Sequence, residues 1–247
     1  MDGRSLDSGA VSLVATVKNP VKLARVVMDK TNHCYIAGID STSKLARSYG
    51  LDVVDNSYYC TSARLKQLAS MKSSNPSNAT AQNSEDACVE PDEVSKKMGT
   101  VGAVAYYKGN VAAGTSTGGM TNKMPGRVGD SPLIGAGTYA NNDSCAVSAT
   151  GTGELFIKHT VASNIAGRMK FGHMSLEDAV HETVFTDLPN EAGGVIAVSS
   201  TGYTLQFNTL GMYRGVCTCS VSPEAVSSYE GKGMISIWHD EEHFSLT

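Results

Sequence analysis

The chain has 247 residues, a formal net charge of −4 and a sequence pI near 5.9, with 41% hydrophobic and 18% charged residues. This balance describes a globular chain able to bury a sizeable core and excludes an intrinsically disordered one. There is no Lys/Arg cluster to suit a nucleic acid or an anionic membrane. The apolar runs Val11–Val17 and Gly193–Val198 are too short for a bilayer, and Met1-Asp2-Gly3-Arg4 lacks a signal core, so a cytoplasmic protein is expected.

In chain order, Gly9–Val17 is rich in β-branched residues and is predicted to be a buried strand. Asn19-Pro20 reads as a cap followed by proline at the first helical position, with a helix over Val21–Lys30 and Leu23, Val26 and Val27 on its apolar side. A short strand is expected over His33–Ala37, a helix over Ser41–Tyr49 ended by Gly50, and another over Ser62–Met71. Lys72–Lys97 is rich in Ser, Asn, Pro and acid and nearly devoid of large apolar residues. It cannot offset its own ordering entropy and reads as a flexible linker.

After the linker, Val101–Tyr107, a Lys108-Gly109-Asn110 turn and Val111–Thr117 have the pattern of a β-hairpin. Gly118–Asn142 is glycine-rich and irregular, and Ser144–Ala149 is a strand. Gly153–Met169 and Ser175–Phe185 are helices, the second capped by Ser175 with Asp178 three residues on. Gly194–Ser199, a Ser200-Thr201-Gly202 turn and Tyr203–Phe207 form a second hairpin, and Met234–His239 is the last strand. Helices and hairpins without regular βαβ alternation indicate an α+β or layered fold, here a single domain over residues 1–247.

Other candidate sites are bland. The six cysteines read as reduced thiols, and Cys217-Thr218-Cys219 lacks metal-site spacing. Asn78-Ala79-Thr80 and Asn142-Asp143-Ser144 match a glycosylation pattern that matters only on the secretory route. His239-Asp240-Glu241-Glu242-His243 reads as a solvated tail, so no metal site is expected. No phosphate-binding GxxxxGK[ST] loop occurs.

The segment Gly99-Thr100-Val101-Gly102-Ala103-Val104 joins the linker to a strand. A threonine hydroxyl is a poor nucleophile without a base beside it. One available base is the residue's own α-amine, which titrates near 7.7–8.0 and exists only if the chain is cut between Gly99 and Thr100. Attack of the hydroxyl on the preceding carbonyl, an N-to-O acyl shift and hydrolysis of the ester would make that cut. Alone, such a motif is more often a structural strand start.

Two further runs, Gly114–Ser131 (GTSTGGMTNKMPGRVGDS) and Ala146–Glu154 (AVSATGTGE), follow in order. Together with GTVGAV, with Gly9-Ala10-Val11-Ser12, and with Phe207-Asn208-Thr209, they resemble the isoaspartyl peptidase/L-asparaginase family of N-terminal-nucleophile hydrolases. The resemblance implies a four-layer αββα sandwich and self-cleavage into residues 1–99 and 100–247. It also implies release of L-aspartate from L-asparagine or β-aspartyl dipeptides. Residue by residue, Thr100 matches the nucleophile and new N-terminus, and Thr117 a threonine that orients it. Arg127 and Asp130 match the pair that holds the substrate head group, Thr150 and Gly151 the oxyanion turn, and Gly153 a carbonyl that meets the substrate amine. A guanidinium can take an α-carboxylate bidentately and a carboxylate suits an α-ammonium.

The resemblance further implies that the two cleaved subunits stay together, in a dimer of heterodimers, and that no cofactor is required. Val27–Cys34 resembles a loop that in some members responds to potassium, which leaves a potassium or sodium ion as an optional partner. Members carry an upstream segment with HGGAG-type and FNAGxGS-type motifs that this sequence lacks, so an N-terminally truncated chain is expected. Alternatives left open are an inactive isoform that only pairs with other subunits, and a related amidase of the glycosylasparaginase or threonine-aspartase type.

Overall fold

A computed structural model of the chain describes residues 1–74, 99–219, 231–237 and 240–246. The first part is assembled from short pieces: strand β1 (Ala10–Ser12), helix α1 (Pro20–Lys30), strand β2 (Tyr35–Ala37) and helix α2 (Ile39–Ser48). A 3-10 turn at Asn56–Tyr59 and helix α3 (Ser62–Ser74) follow. β1 and β2 pair in parallel, Ala10 opposite Tyr35 and Ser12 opposite Ala37. The strand predicted over Gly9–Val17 is therefore short. Leu13 takes a left-handed conformation (φ 55°) that ends it, and Val17 bridges Val53 instead.

Helix α1 starts at Pro20, where a missing N–H costs nothing, and buries Leu23 and Val27. Leu23 joins Val17 and Ala46 in a small core. Asn19 precedes the helix without a side-chain capping bond. Helix α3 runs past its predicted end to Ser74. The rest of the Lys72–Lys97 linker, residues 75–97, lies outside the described residues, as does the Asn78-Ala79-Thr80 pattern.

The second part opens with strands β3 (Val101–Tyr107) and β4 (Asn110–Ser116), joined by Lys108 and Gly109. Both turn residues are left-handed, at φ 47° and 82°, the conformation of a two-residue hairpin turn. Next come β5 (Thr138–Ala140), β6 (Ala146–Gly151), helices α4 (Gly153–Lys158), α5 (Val161–Gly172) and α6 (Leu176–His181), then β7 (Gly193–Ser199) and β8 (Gly202–Phe207). Strands β5 to β8 form one antiparallel sheet in chain order.

Alternation along β6 gives this sheet two buried faces. Cys145, Val147 and Ala149 pack with Phe156, Ile165 and Val180 of the helices, while Ala146 packs with Val111 and Ala113 of the β3–β4 hairpin. The described core is thus a helical layer, a sheet and a hairpin, and the α+β expectation holds at that level. Burial pushes the Cys145 thiol up to about 12. Strand β3 is exposed along most of its length, with Val101 68% accessible.

The helix predicted over Gly153–Met169 is broken at His159 and Thr160, where Thr160 is left-handed (φ 46°). The helix predicted to Phe185 ends as an α-helix at His181 and continues as a π-turn over Glu182–Asp187. Arg168 of α5 binds Glu182 (3.0 Å) and Asp187 (2.6 Å), tying that turn to the helix before it. At the C-terminus, β9 (Arg214–Cys219), β10 (Gly231–Ile237) and β11 (Asp240–Leu246) form a separate sheet of order β11-β10-β9. The predicted strand Met234–His239 thus starts earlier, and residues 238 and 239 lie outside the described ones. The run read as a solvated tail supplies β11, whose Asp240 pairs with Ile237. Among the described residues no helix is long and apolar enough to cross a membrane.

Ile165 is fully buried between the helices and the sheet. Ile165→Ala is expected to cost about 2–5 kcal/mol and Ile165→Val about 0.5–1.5 kcal/mol, read as shifts in the urea unfolding midpoint.

Candidate active site

The hairpin register determines which threonines meet. Val101 pairs with Ser116, so the next position outward sets Thr100 against Thr117. The Thr100 hydroxyl donates to Thr117 Oγ1 at 3.1 Å, and Thr117 Oγ1 also accepts the Gly119 N–H at 3.0 Å. The first bond points the Thr100 proton at Thr117, and among the described residues no group donates to Thr100 Oγ1. Among the described residues no ionisable side chain bonds to the Thr100 hydroxyl. Gly99 is exposed and lies against the Arg64 guanidinium of α3, with Arg64 Nη2 2.7 Å from where a Cβ of Gly99 would stand.

A second group gathers where the 118–137 loop meets α4. Asp130 is 6% exposed, its carbonyl accepting the Leu133 and Gly137 N–H groups at 2.9 and 3.1 Å. Its Oδ2 is buried without a hydrogen-bond partner. Burial raises its carboxyl to about 6, against the opposing pull of its own backbone N–H and of Arg127. Gly153, the first residue of α4, fits only because it has no side chain. A Cβ there would come within 2.9 Å of Asp130 Oδ1 and 3.0 Å of Arg127 Nη2. The predicted substrate-holding residues Arg127, Asp130 and Gly153 therefore share one site. Gly119 connects it to the threonines, since a Cβ at Gly119 would lie 3.4 Å from Arg127 Nη1.

Thr150 and Gly151 end β6, opposite Gly194 and Gly193 of β7. Two residues earlier, Ser148 Oγ presses on Gly102 of β3, 2.0 Å from the position of an absent Cβ, which brings the end of β6 under the strand that carries Thr100. Ser148 also bonds Thr115 at 2.7 Å, and Thr138 donates to Thr115 at 2.5 Å, so hydroxyls stitch the two layers together below the site. A cavity of about 420 Å³ adjoins the site, walled by Ala10, Val14 and Met28 on one side and by Thr115, Thr117 and Arg127 on the other.

One participant escaped the sequence analysis. Glu154 binds Arg127 through two parallel bonds, Nε to Oε1 at 2.8 Å and Nη2 to Oε2 at 2.9 Å. This bond raises the Arg127 guanidinium above its ordinary value and lowers the Glu154 carboxyl. Its sequence signal was only an acid in the first turn of a helix, which ordinarily complements the helix dipole.

The family described as Asparaginase matches residues 1–226 of the chain. An isoaspartyl peptidase of Salmonella typhimurium is 48% identical over 218 residues, covering 87% of this chain and 67% of that protein. A probable isoaspartyl peptidase/L-asparaginase 2 of Arabidopsis thaliana is 40% identical over 232 residues (88% and 71%). An isoaspartyl peptidase/L-asparaginase of Homo sapiens is 40% identical over 209 residues (82% and 62%). The chain spans about two thirds of the length of the curated relatives it matches.

The raised Asp130 carboxyl has a consequence for stability. In the unfolded chain it ionises near 3.9, but in the fold only near 6, so the folded state holds the extra proton between these values. Stability is therefore lost as the pH rises from about 4 to about 6, by roughly 2–3 kcal/mol. Asp130→Asn removes this dependence. Urea unfolding should show the variant more stable than wild type at pH 7 and level with it near pH 4.

Proposed function

The chain belongs to the asparaginase family, and from that premise we propose that it is a self-processing threonine hydrolase that releases L-aspartate from L-asparagine and β-aspartyl dipeptides. The observation that carries this reading is the Thr100 hydroxyl, oriented by Thr117 at 3.1 Å and given no side-chain base among the described residues. A hydroxyl so placed needs an amine of its own, and cutting the Gly99–Thr100 bond creates one.

In the first reaction Thr100 Oγ1 attacks the Gly99 carbonyl carbon. The C–N bond breaks, the hydroxyl proton passes to the Thr100 nitrogen, which becomes an amine, and Gly99 becomes an ester on the Thr100 oxygen. Water then cleaves the ester to leave a carboxylate on Gly99. In turnover the Thr100 amine takes the hydroxyl proton as Oγ1 attacks the β-carbonyl of the substrate. The amine returns that proton to the departing ammonia or amino acid, and water hydrolyses the aspartyl ester on Thr100.

Arg127 takes the substrate α-carboxylate. Asp130, ionised on its arrival, takes the α-ammonium together with the Gly153 carbonyl. Thr150 and Gly151 donate to the oxyanion, each donor of this kind contributing about 3–4 kcal/mol in other hydrolases. The reaction as written calls on no cofactor; a potassium or sodium ion at Val27–Cys34 would act on that loop alone. In this reading residues 1–99 and 100–247 remain one four-layer αββα unit, which pairs with a second.

On incubation the purified chain should yield two fragments, the second beginning at Thr100, with hydrolysis of L-asparagine rising in step. Thr100→Ala should stay full length, and Thr117→Ala should cut and turn over roughly 10- to 100-fold more slowly, since it loses only orientation. N-terminal sequencing and mass spectrometry give the readout. Scission at this bond in Thr100→Ala, or hydrolysis by uncut wild type, would contradict the mechanism.

A further inference from the structure

Helix α3 reaches the start of the β3–β4 hairpin through two side chains. Arg64 sets its guanidinium against Gly99, with Nη2 2.7 Å from where a Cβ of Gly99 would stand. The other terminal nitrogen, Nη1, donates to Gln67 Oε1 at 2.8 Å, and the Thr121 hydroxyl donates to the same oxygen at 3.0 Å. Gln67 thus ties the guanidinium to the loop that follows Thr117, whose Oγ1 accepts from Thr100 at 3.1 Å and from Gly119 at 3.0 Å. A cation is in this way held beside the residue whose carbonyl Thr100 attacks.

Gly99 gains negative charge twice in the self-cleavage described above. Attack of Thr100 Oγ1 leaves the carbonyl oxygen negative, and that charge is lost when the C–N bond breaks and the nitrogen takes the hydroxyl proton. Water then adds to the ester, and the bond to Thr100 Oγ1 breaks with a proton returned to that oxygen. Gly99 keeps a carboxylate, and the remaining proton leaves to solvent. A guanidinium stays charged throughout, and its fork of N–H groups suits a carboxylate. A neighbouring cation therefore favours both the intermediate and the product over the neutral peptide.

We propose that Arg64 is the electrostatic partner of the cut: its guanidinium, held by Gln67, stabilises the negative charge that develops on Gly99 and then pairs with the carboxylate left there. This role rests on the self-processing reading and adds a group that acts on the bond from outside the hairpin. It also gives Gly99 a reason beyond backbone freedom, since a side chain there would push the guanidinium away. In the rival role Arg64 is passive and only docks α3 against the loop.

Charge separates the two roles. Arg64 and Gly99 are both exposed, so the effect is that of a surface pair and is screened by salt. Arg64→Gln removes the charge, and Arg64→Lys keeps it without the planar fork.

The test follows the appearance of the Thr100 terminus over time by mass spectrometry, in wild type and both variants. It is run at about 0.01 M and about 1 M tetramethylammonium chloride, with urea unfolding beside it. Expected at low salt is scission about tenfold slower in Arg64→Gln and within about threefold of wild type in Arg64→Lys, with unfolding midpoints alike. High salt should slow wild type severalfold and leave Arg64→Gln as it was. An Arg64→Gln that cuts as fast as wild type, an Arg64→Lys as slow as Arg64→Gln, a salt response shared by all three, or a loss of rate that tracks a lower midpoint would overturn the proposal. Each of those results leaves the self-processing reading in place, whereas a wild type that never cuts ends that reading and this role with it.

Discussion

The site depends on the register of one hairpin. The turn at Lys108 and Gly109 sets Val101 against Ser116, and only in that register do Thr100 and Thr117 become opposite neighbours. A slip by one residue would turn every side chain of the slipped strand to the other face, lifting Val111 and Ala113 out of the core they share with Ala140 and Ala146. The apolar packing of the hairpin on the sheet therefore holds the chemistry in place, although none of those residues takes part in it. Ser148 beneath Gly102 and the hydroxyl bonds through Thr115 and Thr138 fix the same alignment from below.

The charges around Asp130 do not cancel. Arg127 is neutralised by Glu154 from outside, and Asp130, buried without a partner for Oδ2, holds its proton up to about pH 6. Above that value Asp130 carries a buried negative charge of its own. In the proposed binding mode the ammonium of an amino acid meets that charge, whereas a simple anion would leave it buried alone.

What the sequence disclosed follows from how local each cause is. The hairpin was legible because a Lys-Gly-Asn turn between β-formers is a local signal, and α1 because proline announces a first turn. The break at His159-Thr160 was not, since no Gly or Pro marks it. The shortening of β1 at Leu13 has the same character: a β-branched run promised a strand that the parallel partner does not extend to meet. β11 is hidden in the sequence because its charges mask a backbone pairing with β10. At the site, the motif residues were named through family likeness, and the structure places Arg127, Asp130 and Gly153 together. Glu154 lies in the same run but announced itself only as a helix-start acid, because its bond to Arg127 spans 27 residues.

Cys145, just before β6, packs on the helical side of the sheet, and burial pushes its thiol up to about 12. A thiol in that condition does not meet an alkylating reagent at neutral pH while the helices stay on the sheet, whereas Cys34 and Cys60 lie on the surface. Its labelling is consequently a clock wound by the protein itself. Each tick records a moment when the inner layers part, and the interval between ticks measures how long the molecule keeps its interior closed.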